Sequence, residues 1–289
     1  MRWVLATSIY FMGKWADGKV LSKKCWALLR ENRYFLWFPI IGFVLSLIPI
    51  IILGGGAAAL AIGDMNVGAI ITGVLALVFI NFAFTISGAA IVVAVDEELA
   101  GRDSSVGHGF SKAFGRLGPL FMWSLIKAAV SALLGLLRGN GNGASAVAGN
   151  ILASIGAAAW SIVTFFVTPY IMLKGESAVP ALKKSVAMVK EKWGTQVTGG
   201  VRIGLSLLVL VIPAIVLIVL GLVIAGNGGA MVTLGLLAVV VGIALLLVSF
   251  LIGSTLQAIF SVALFHFTTG EGSTGPFTAQ ELQGVLAKK

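Results

Sequence analysis

The sequence predicts an all-α integral membrane protein, a polytopic helix bundle of about six transmembrane helices with amphipathic helices on its cytoplasmic surface. Three observations predict it. Of 289 residues, 58% are hydrophobic and only 11% are charged, and the mean hydropathy is +1.05. A soluble domain carries about 25% charged residues, so this chain has too little polar surface to cover itself in water. Several apolar runs also approach the ~20 residues needed to cross a ~30 Å hydrocarbon core. Finally, the basic residues collect in alternate connections between those runs.

The apolar runs extend from Phe35 to Leu53, Gly68 to Ala94, Pro119 to Leu137, Ile151 to Met172, Ile203 to Ala225, and onward from Met231. The last stays apolar to Phe267, which as one helix is about 55 Å long. It is expected to cross by Gly253 and to continue as an inclined or interfacial segment. Gly54-Gly55-Gly56 is read as the turn that ends the first span, and Pro49 and Pro213 predict kinks within spans. The whole chain is expected to be a single membrane domain, with interfacial basic helices over 1–34, the bundle over 35–267, and a cytoplasmic tail over 268–289. The apolar stretch from Trp3 to Met12 lacks a small-x-small cleavage site and is read as a helix lying on the membrane.

Charge sets the expected orientation. The basic groups are Arg2 to Arg33, then Arg102, Lys112 and Arg116, then Lys174 to Arg202, then Lys288 and Lys289. All fall on one side of a six-span arrangement, whereas the other side holds only Asp64 and Arg138. The positive-inside rule puts both termini in the cytoplasm. Trp3, Trp15, Trp26, Trp37, Trp123 and Trp193 lie near that side, as an aromatic belt would, and Trp160 is the exception. The net charge of +9 is therefore read as membrane-surface affinity rather than nucleic-acid binding. Cys25 is the only cysteine, which excludes an intramolecular disulfide and a cysteine-rich metal site.

The basic segments read as short amphipathic helices. In the first, Leu21, Cys25, Leu28 and Asn32 share a face opposite Lys23 and Arg30. In the second, Phe110, Phe114 and Leu117 share a face, and His108, Lys112 and Arg116 form a polar stripe. In the third, Leu182, Val186, Val189 and Trp193 align, with Lys183 and Lys190 to one side. In the tail, Thr278 and Glu281 form a capping box with Phe277 and Leu282 as its staple. Three approaches also correspond: Asp96 to Gly101, Lys174 to Ser177, and Gly270 to Ser273. They suggest three hairpins, each followed by a surface helix.

Certain phrases carry a family resemblance. They are Trp26-Ala27-Leu28-Leu29-Arg30-Glu31-Asn32 with Phe38-Pro39, then Trp160 with Thr164-Phe165-Phe166-Val167-Thr168-Pro169. Ala181-Leu182-Lys183-Lys184-Ser185 with Lys192-Trp193-Gly194 and Thr268-Thr269-Gly270 with Phe277 follow in the same order. Over nearly the whole chain the sequence resembles an uncharacterised family of bacterial six-helix integral membrane proteins, a domain of unknown function. A fainter likeness extends to the membrane domains of some glycerophosphodiester phosphodiesterases. The resemblance implies the fold and a place in the bacterial cytoplasmic membrane, and it carries over no catalytic residues.

Lys127 is the most informative single residue, near the middle of the third run. A charge at the bilayer centre costs about 2.5–3.5 kcal/mol on insertion scales, so it is a functional candidate by default. It is expected to bind an anionic headgroup, to pair with Asp96, Glu97 or Glu98, or to snorkel to the inner interface. Lys23, Lys24, Arg30, Lys112, Arg116, Lys183 and Lys184 are the other headgroup candidates. Asn81 and Gln257 are the notable polar residues within spans, and the reading favours interhelical hydrogen bonds for such groups, each worth about 0.6 kcal/mol. Gly200-x-x-x-Gly204 and Ser249-x-x-x-Gly253 allow close helix approach.

Asp96, Glu97, Glu98, Asp103, His108 and His266 form an acidic and histidine-bearing set without metal-ligand spacing. There is no P-loop, nucleophile elbow or dinucleotide fingerprint, so no catalytic residue, metal or cofactor is expected. Two functions fit. The first is a non-enzymatic scaffold or accessory subunit that contacts anionic lipid through its basic helices, with a membrane-protein partner or a second copy. The alternative is a small transporter or lipid-handling protein with a polar path near Lys127.

Overall fold

The computed structural model describes residues 20–63, 65–138, 144–192, 198–229 and 231–285, and every regular element among them is helical. The expectations for the Trp3–Met12 helix, the turn after Arg138, Trp193 and the terminal lysines lie outside these residues. Six helices are long and apolar enough to cross a membrane: Arg33–Ile62, Asn66–Leu99, Leu117–Leu137, Val147–Leu173, Leu207–Ala225 and Met231–Thr269. Each contains or overlaps one predicted run. Large apolar side chains such as Ile51, Leu136 and Val209 stay 70%, 82% and 74% exposed. So large an apolar surface is compatible with lipid and not with water.

A helix over 20–31 (α1) leads into a 3-10 turn, Arg33–Leu36. The first crossing helix joins α2 (Trp37–Pro49), a π-helical stretch (Ile50–Gly54) and α3 (Gly55–Ile62). Then come α4 (Asn66–Leu99), α5 (Val106–Phe114), α6 (Leu117–Leu137), α7 (Ala144–Val163) and α8 (Val167–Leu173). The chain ends with α9 (Ala178–Lys192), α10 (Thr198–Ala225), α11 (Met231–Thr269) and α12 (Ala279–Val285).

One expectation about the spans is corrected. Gly54-Gly55-Gly56 is not a turn: Gly54 and Gly55 have helical φ values of −66° and −62°. In hydrocarbon, broken backbone leaves N–H and C=O groups without partners at several kcal/mol each. That outweighs the ~1 kcal/mol by which glycine disfavours a helix. The disturbance falls instead directly after Pro49, which lacks the N–H that α-helical bonding needs, and the backbone widens into the π-helical stretch. Pro213, by contrast, sits within uninterrupted α10. After Gly253, α11 continues as the same helix. It runs unbroken for 39 residues, and Ser261 through His266 are all buried.

The helices cluster into two compact units, one drawn from 1–36, 196–260 and 277–288, the other from 37–195 and 261–276. In the first unit, α10 and α11 run antiparallel at close range. A Cβ on Gly221 would lie 2.6 Å from the Gly235 carbonyl oxygen, one on Gly242 would lie 2.7 Å from that of Ala214, and one on Gly253 would lie 2.7 Å from Leu207. The expected close approach at Gly253 is therefore present, while the side chains around Gly200 and Gly204 lie outside the described residues. On α1, Leu21, Cys25, Leu28 and Leu29 are buried, and Lys23 and Arg30 are exposed, as the pattern predicts. Burial pushes the Cys25 thiol up to about 12, so it stays protonated at neutral pH.

The tail helix follows its sequence signature. Thr278 N–H donates to Glu281 Oε2 at 2.9 Å, and Glu281 N–H donates back to Thr278 Oγ1 at 3.4 Å. Phe277 and Leu282 are both buried. Lys24 Nζ then reaches Glu281 Oε2 at 2.6 Å. Burial opposes ionisation of Glu281, but the bonds from Lys24 and Thr278 outweigh it and lower its pKa. A lowered carboxyl pKa favours the fold above the unfolded value, and this link weakens as pH falls through the carboxylate range.

In the second unit the core gathers around the C-terminal half of α4, where Ala89 through Val95 are all buried. Helices α2, α5, α6 and α8 pack on α4. α5 starts at Ser105, whose Oγ accepts from His108 N–H at 3.1 Å. Its buried face is Gly109, Phe110 and Ala113, while Phe114 and Leu117 are 51% and 41% exposed. Phe110 keeps its predicted place, but the buried face turns from Phe114 and Leu117 toward Gly109 and Ala113, because the Ala90 carbonyl stands so close to Gly109 that no side chain fits there. α9 shows the same shift: Ala178, Ala181, Ser185 and Val189 are buried, and Leu182 and Val186 only partly so.

Ser185 explains the break between α7 and α8. Its hydroxyl donates to the Val163 carbonyl at 2.6 Å and accepts from Phe166 N–H at 3.2 Å. It therefore satisfies both backbone ends that the turn at residues 164–166 leaves unpaired. Ser185→Ala is expected to destabilise the protein by about 1–3 kcal/mol, since the buried Phe166 N–H and the part-buried Val163 carbonyl lose this hydroxyl. Thermal unfolding of the purified variant measures it, and an unchanged midpoint would disprove this role.

Other polar groups within the apolar helices mostly bond their own helix. Asn81 Nδ2 donates to the Leu77 carbonyl at 2.9 Å, Thr85 to that of Asn81 at 2.6 Å, and Ser249 to that of Leu245 at 2.7 Å. The expectation of interhelical bonds is met at Ser87, which donates to the Phe38 carbonyl across α4 and α2. Gln257 is exposed.

Candidate functional site

Three helices of the second unit end alike. Gly101, Gly175 and Gly270, just beyond α4, α8 and α11, each adopt φ +69°. That left-handed conformation suits glycine and closes a helix C-terminus. At α4, Arg102 N–H bonds the Glu97 carbonyl at 2.9 Å and Gly101 N–H bonds that of Glu98 at 3.0 Å. At α11, Gly270 N–H bonds the His266 carbonyl at 3.0 Å. At α8 the N–H groups of Lys174 and Glu176 bond the Tyr170 carbonyl at 3.3 and 3.2 Å, and Arg116 Nη2 adds a side-chain donor to the Ile171 carbonyl at 3.3 Å. The correspondence of the three approaches in sequence is therefore a correspondence of backbone conformation.

These ends, with the α5–α6 connection, line a cleft of about 590 Å³. Asp96, Glu97 and Glu271 supply its acids, and Lys112, Arg116, Lys174 and His266 its basic groups. At its centre His266, only 7% exposed, lies between two oxygens. Nε2 is 2.6 Å from Asp96 Oδ1, and Nδ1 is 2.6 Å from the Glu271 carbonyl oxygen. A carbonyl can only accept, so Nδ1–H is the donor to Glu271, and Nε2 faces Asp96 Oδ1. Both ring nitrogens are thereby occupied, and in this arrangement neither is free to act on a bound molecule. The ring also presses on Gly272, whose φ is +83° and whose position has no room for a Cβ.

The remaining acids of the cleft are also paired. Glu97 binds Arg102 and lies 3.8 Å from His108, Arg102 reaches Asp96 at 3.6 Å, and Lys174 binds Glu271. Of the acidic and histidine set read from sequence, Asp96, Glu97, His108 and His266 thus join an ion-pair network, and the described residues hold no group of three or more metal-capable side chains. Among these same residues Lys112 is exposed and has no acidic partner, and Arg116 meets only a carbonyl.

Other predicted residues fall elsewhere. Lys127 does not line the cleft and does not pair with Asp96 or Glu97, whose partners are His266, Arg102 and His108. It is half-buried on α6, with Nζ 5.9 Å from the Trp123 ring, and Trp123 lies against Trp160. The aromatic pair offers this cation a face in place of a carboxylate. Lys184 binds Glu176, Lys183 is exposed, and Lys23, Lys24 and Arg30 belong to α1 in the first unit. The Asp96–His266 bond links residues 170 apart and leaves no local trace in sequence. The one available signal is that His266 is the last polar side chain before the Thr268-Thr269-Gly270 helix end.

A family model matches residues 69–276, from α4 to the turn after α11. The chain belongs to DUF6159, a family of unknown function. The DUF6159 segment contains every residue that lines the cleft, whereas α1 and α12 fall outside it. No curated protein and no solved structure matches the chain, and the fainter phosphodiesterase likeness gains no support.

Proposed function

We propose that this DUF6159 member is a non-enzymatic protein of the bacterial inner membrane, with both termini cytoplasmic, that serves as a scaffold or accessory subunit and holds anionic lipid through its basic surface helices. One observation supports it most. α5 buries Gly109, Phe110 and Ala113, α9 buries Ala178, Ala181, Ser185 and Val189, and Lys112, Lys183 and Lys190 on the same helices are exposed without an acidic partner among the described residues. Such cations beside apolar helices attract anionic headgroups at about 1 kcal/mol per residue. The charge asymmetry of the connections supports the orientation.

The test is extraction into native-lipid nanodiscs and mass spectrometry of everything that co-purifies. A stoichiometric protein partner with enriched anionic lipid is the expected result. A bare protein carrying a small molecule would favour the transport reading instead. Lys127→Leu separates the two further. The scaffold reading expects unchanged complexes and a stability equal to or up to about 2 kcal/mol above the parent, because a costly charge leaves the bundle. Loss of solute flux in vesicles would overturn that expectation.

A further inference from the structure

We infer that the cleft at the ends of α4, α8 and α11 binds a single phosphate group through Lys112 and Arg116. This deepens the lipid reading above and rests on it for the source of the phosphate. The charges decide the sign of the ligand. Asp96 is held by His266, Glu97 by Arg102, and Glu271 by Lys174. Lys112 has no acidic partner among the described residues, and Arg116 spends one N–H on the Ile171 carbonyl. A guanidinium has five N–H donors, so Arg116 keeps several for an anion. Each of these carboxylates already has a partner, and the donors left over are the Lys112 ammonium and the Arg116 guanidinium, with the Ser111 hydroxyl beside them.

The lining suits a phosphate. Lys112 on α5 and Arg116 just beyond it stand four residues apart, and Gly115 and Gly272 keep side-chain bulk out of the cleft. An ammonium and a planar guanidinium can share the several oxygens of one phosphate. The cleft, about 590 Å³, has room for a headgroup. α5 also borders an apolar groove of about 390 Å³, where Phe114 faces Leu45, Ile48, Phe79 and Phe82. One short helix thus borders a cationic cleft and a surface that suits an acyl chain, which favours a phospholipid over free phosphate.

The test uses the full chain in nanodiscs of phosphatidylcholine with a minor fraction of phosphatidylglycerol, with retained lipid counted by native mass spectrometry. A parallel arm follows thermal unfolding in inorganic phosphate against chloride at matched ionic strength. Lys112→Gln is the main variant, because its exposed side chain carries no packing. Arg116→Gln is secondary, since it also removes a bond to the end of α8. Arg138→Gln is the control, an exposed cation outside the cleft and outside the basic surface helices. Lys112→Gln is expected to lower phosphatidylglycerol retention about tenfold, the loss of one charge-assisted bond, while Arg138→Gln leaves it near the parent. Protection by inorganic phosphate that Lys112→Gln abolishes, without lipid enrichment, would support the site but assign it a soluble phosphate and sink the lipid reading. Enriched lipid that Lys112→Gln leaves unchanged would overturn the site and leave the lipid reading standing. No enrichment and no phosphate effect would overturn both.

Discussion

Gly109→Leu is expected to destabilise the protein by about 3 kcal/mol or more, at the upper end of what overpacking costs. A Cβ at this position would stand 2.6 Å from the Ala90 carbonyl oxygen and 2.8 Å from the Phe38 ring. Neither neighbour can give way cheaply. Ala90 belongs to the buried half of α4, and Phe38 is fully buried and stacked on Phe110 at 5.6 Å. The larger side chain must therefore lift α5 from α4, and the cleft loses the helix that carries Lys112. Gly107→Leu is the internal control, since a Cβ there meets nothing within 4 Å on the same helix. Thermal unfolding followed by circular dichroism should show an early transition for the first variant only. Equal midpoints for the two would refute the close approach of α5 to α4.

His266→Leu is the second large effect. It strips Asp96 Oδ1 and the Glu271 carbonyl of their shared partner. Removing one member of a buried ion pair typically costs 3–5 kcal/mol. Asp96 keeps 22% side-chain exposure and has Arg102 3.6 Å away, so part of that penalty is screened and about 2–3 kcal/mol is expected. A double variant, His266→Leu with Asp96→Leu, removes the stranded charge and should recover more than half of the loss. Chemical or thermal unfolding of the two singles and the double completes the cycle. If the double variant is as unstable as the sum of the singles, the two residues are not coupled.

The elements that sequence anticipated well are those set by local rules. The α12 cap needs only Thr278 and Glu281 three residues apart, and the α1 face needs only leucines and Cys25 at helical spacing. The elements it misplaced depend on a neighbour. Phe114 and Leu117 are the bulky side chains of the α5–α6 region, yet Gly109 and Ala113 face α4, because backbone proximity and not hydrophobicity selects that face. Ser185 has nothing distinctive in sequence, since its role is set by backbone groups 19 and 22 residues away.

The candidate site divides the same way. Lys112 and Arg116 were visible as a polar stripe with His108, because their spacing is local. Lys127 stood out because a charge in an apolar run is conspicuous, but its neighbour is an aromatic ring rather than a carboxylate. By itself the sequence determined the all-helical class, the six apolar helices and the family, because hydropathy over about 20 residues responds to lipid and needs no partner. Only the tertiary structure decided which acids are neutralised and which cations stay free. Ion pairing falls off over a few ångströms, and the groups that meet at Asp96, Lys174 and His266 come from helices far apart in the chain.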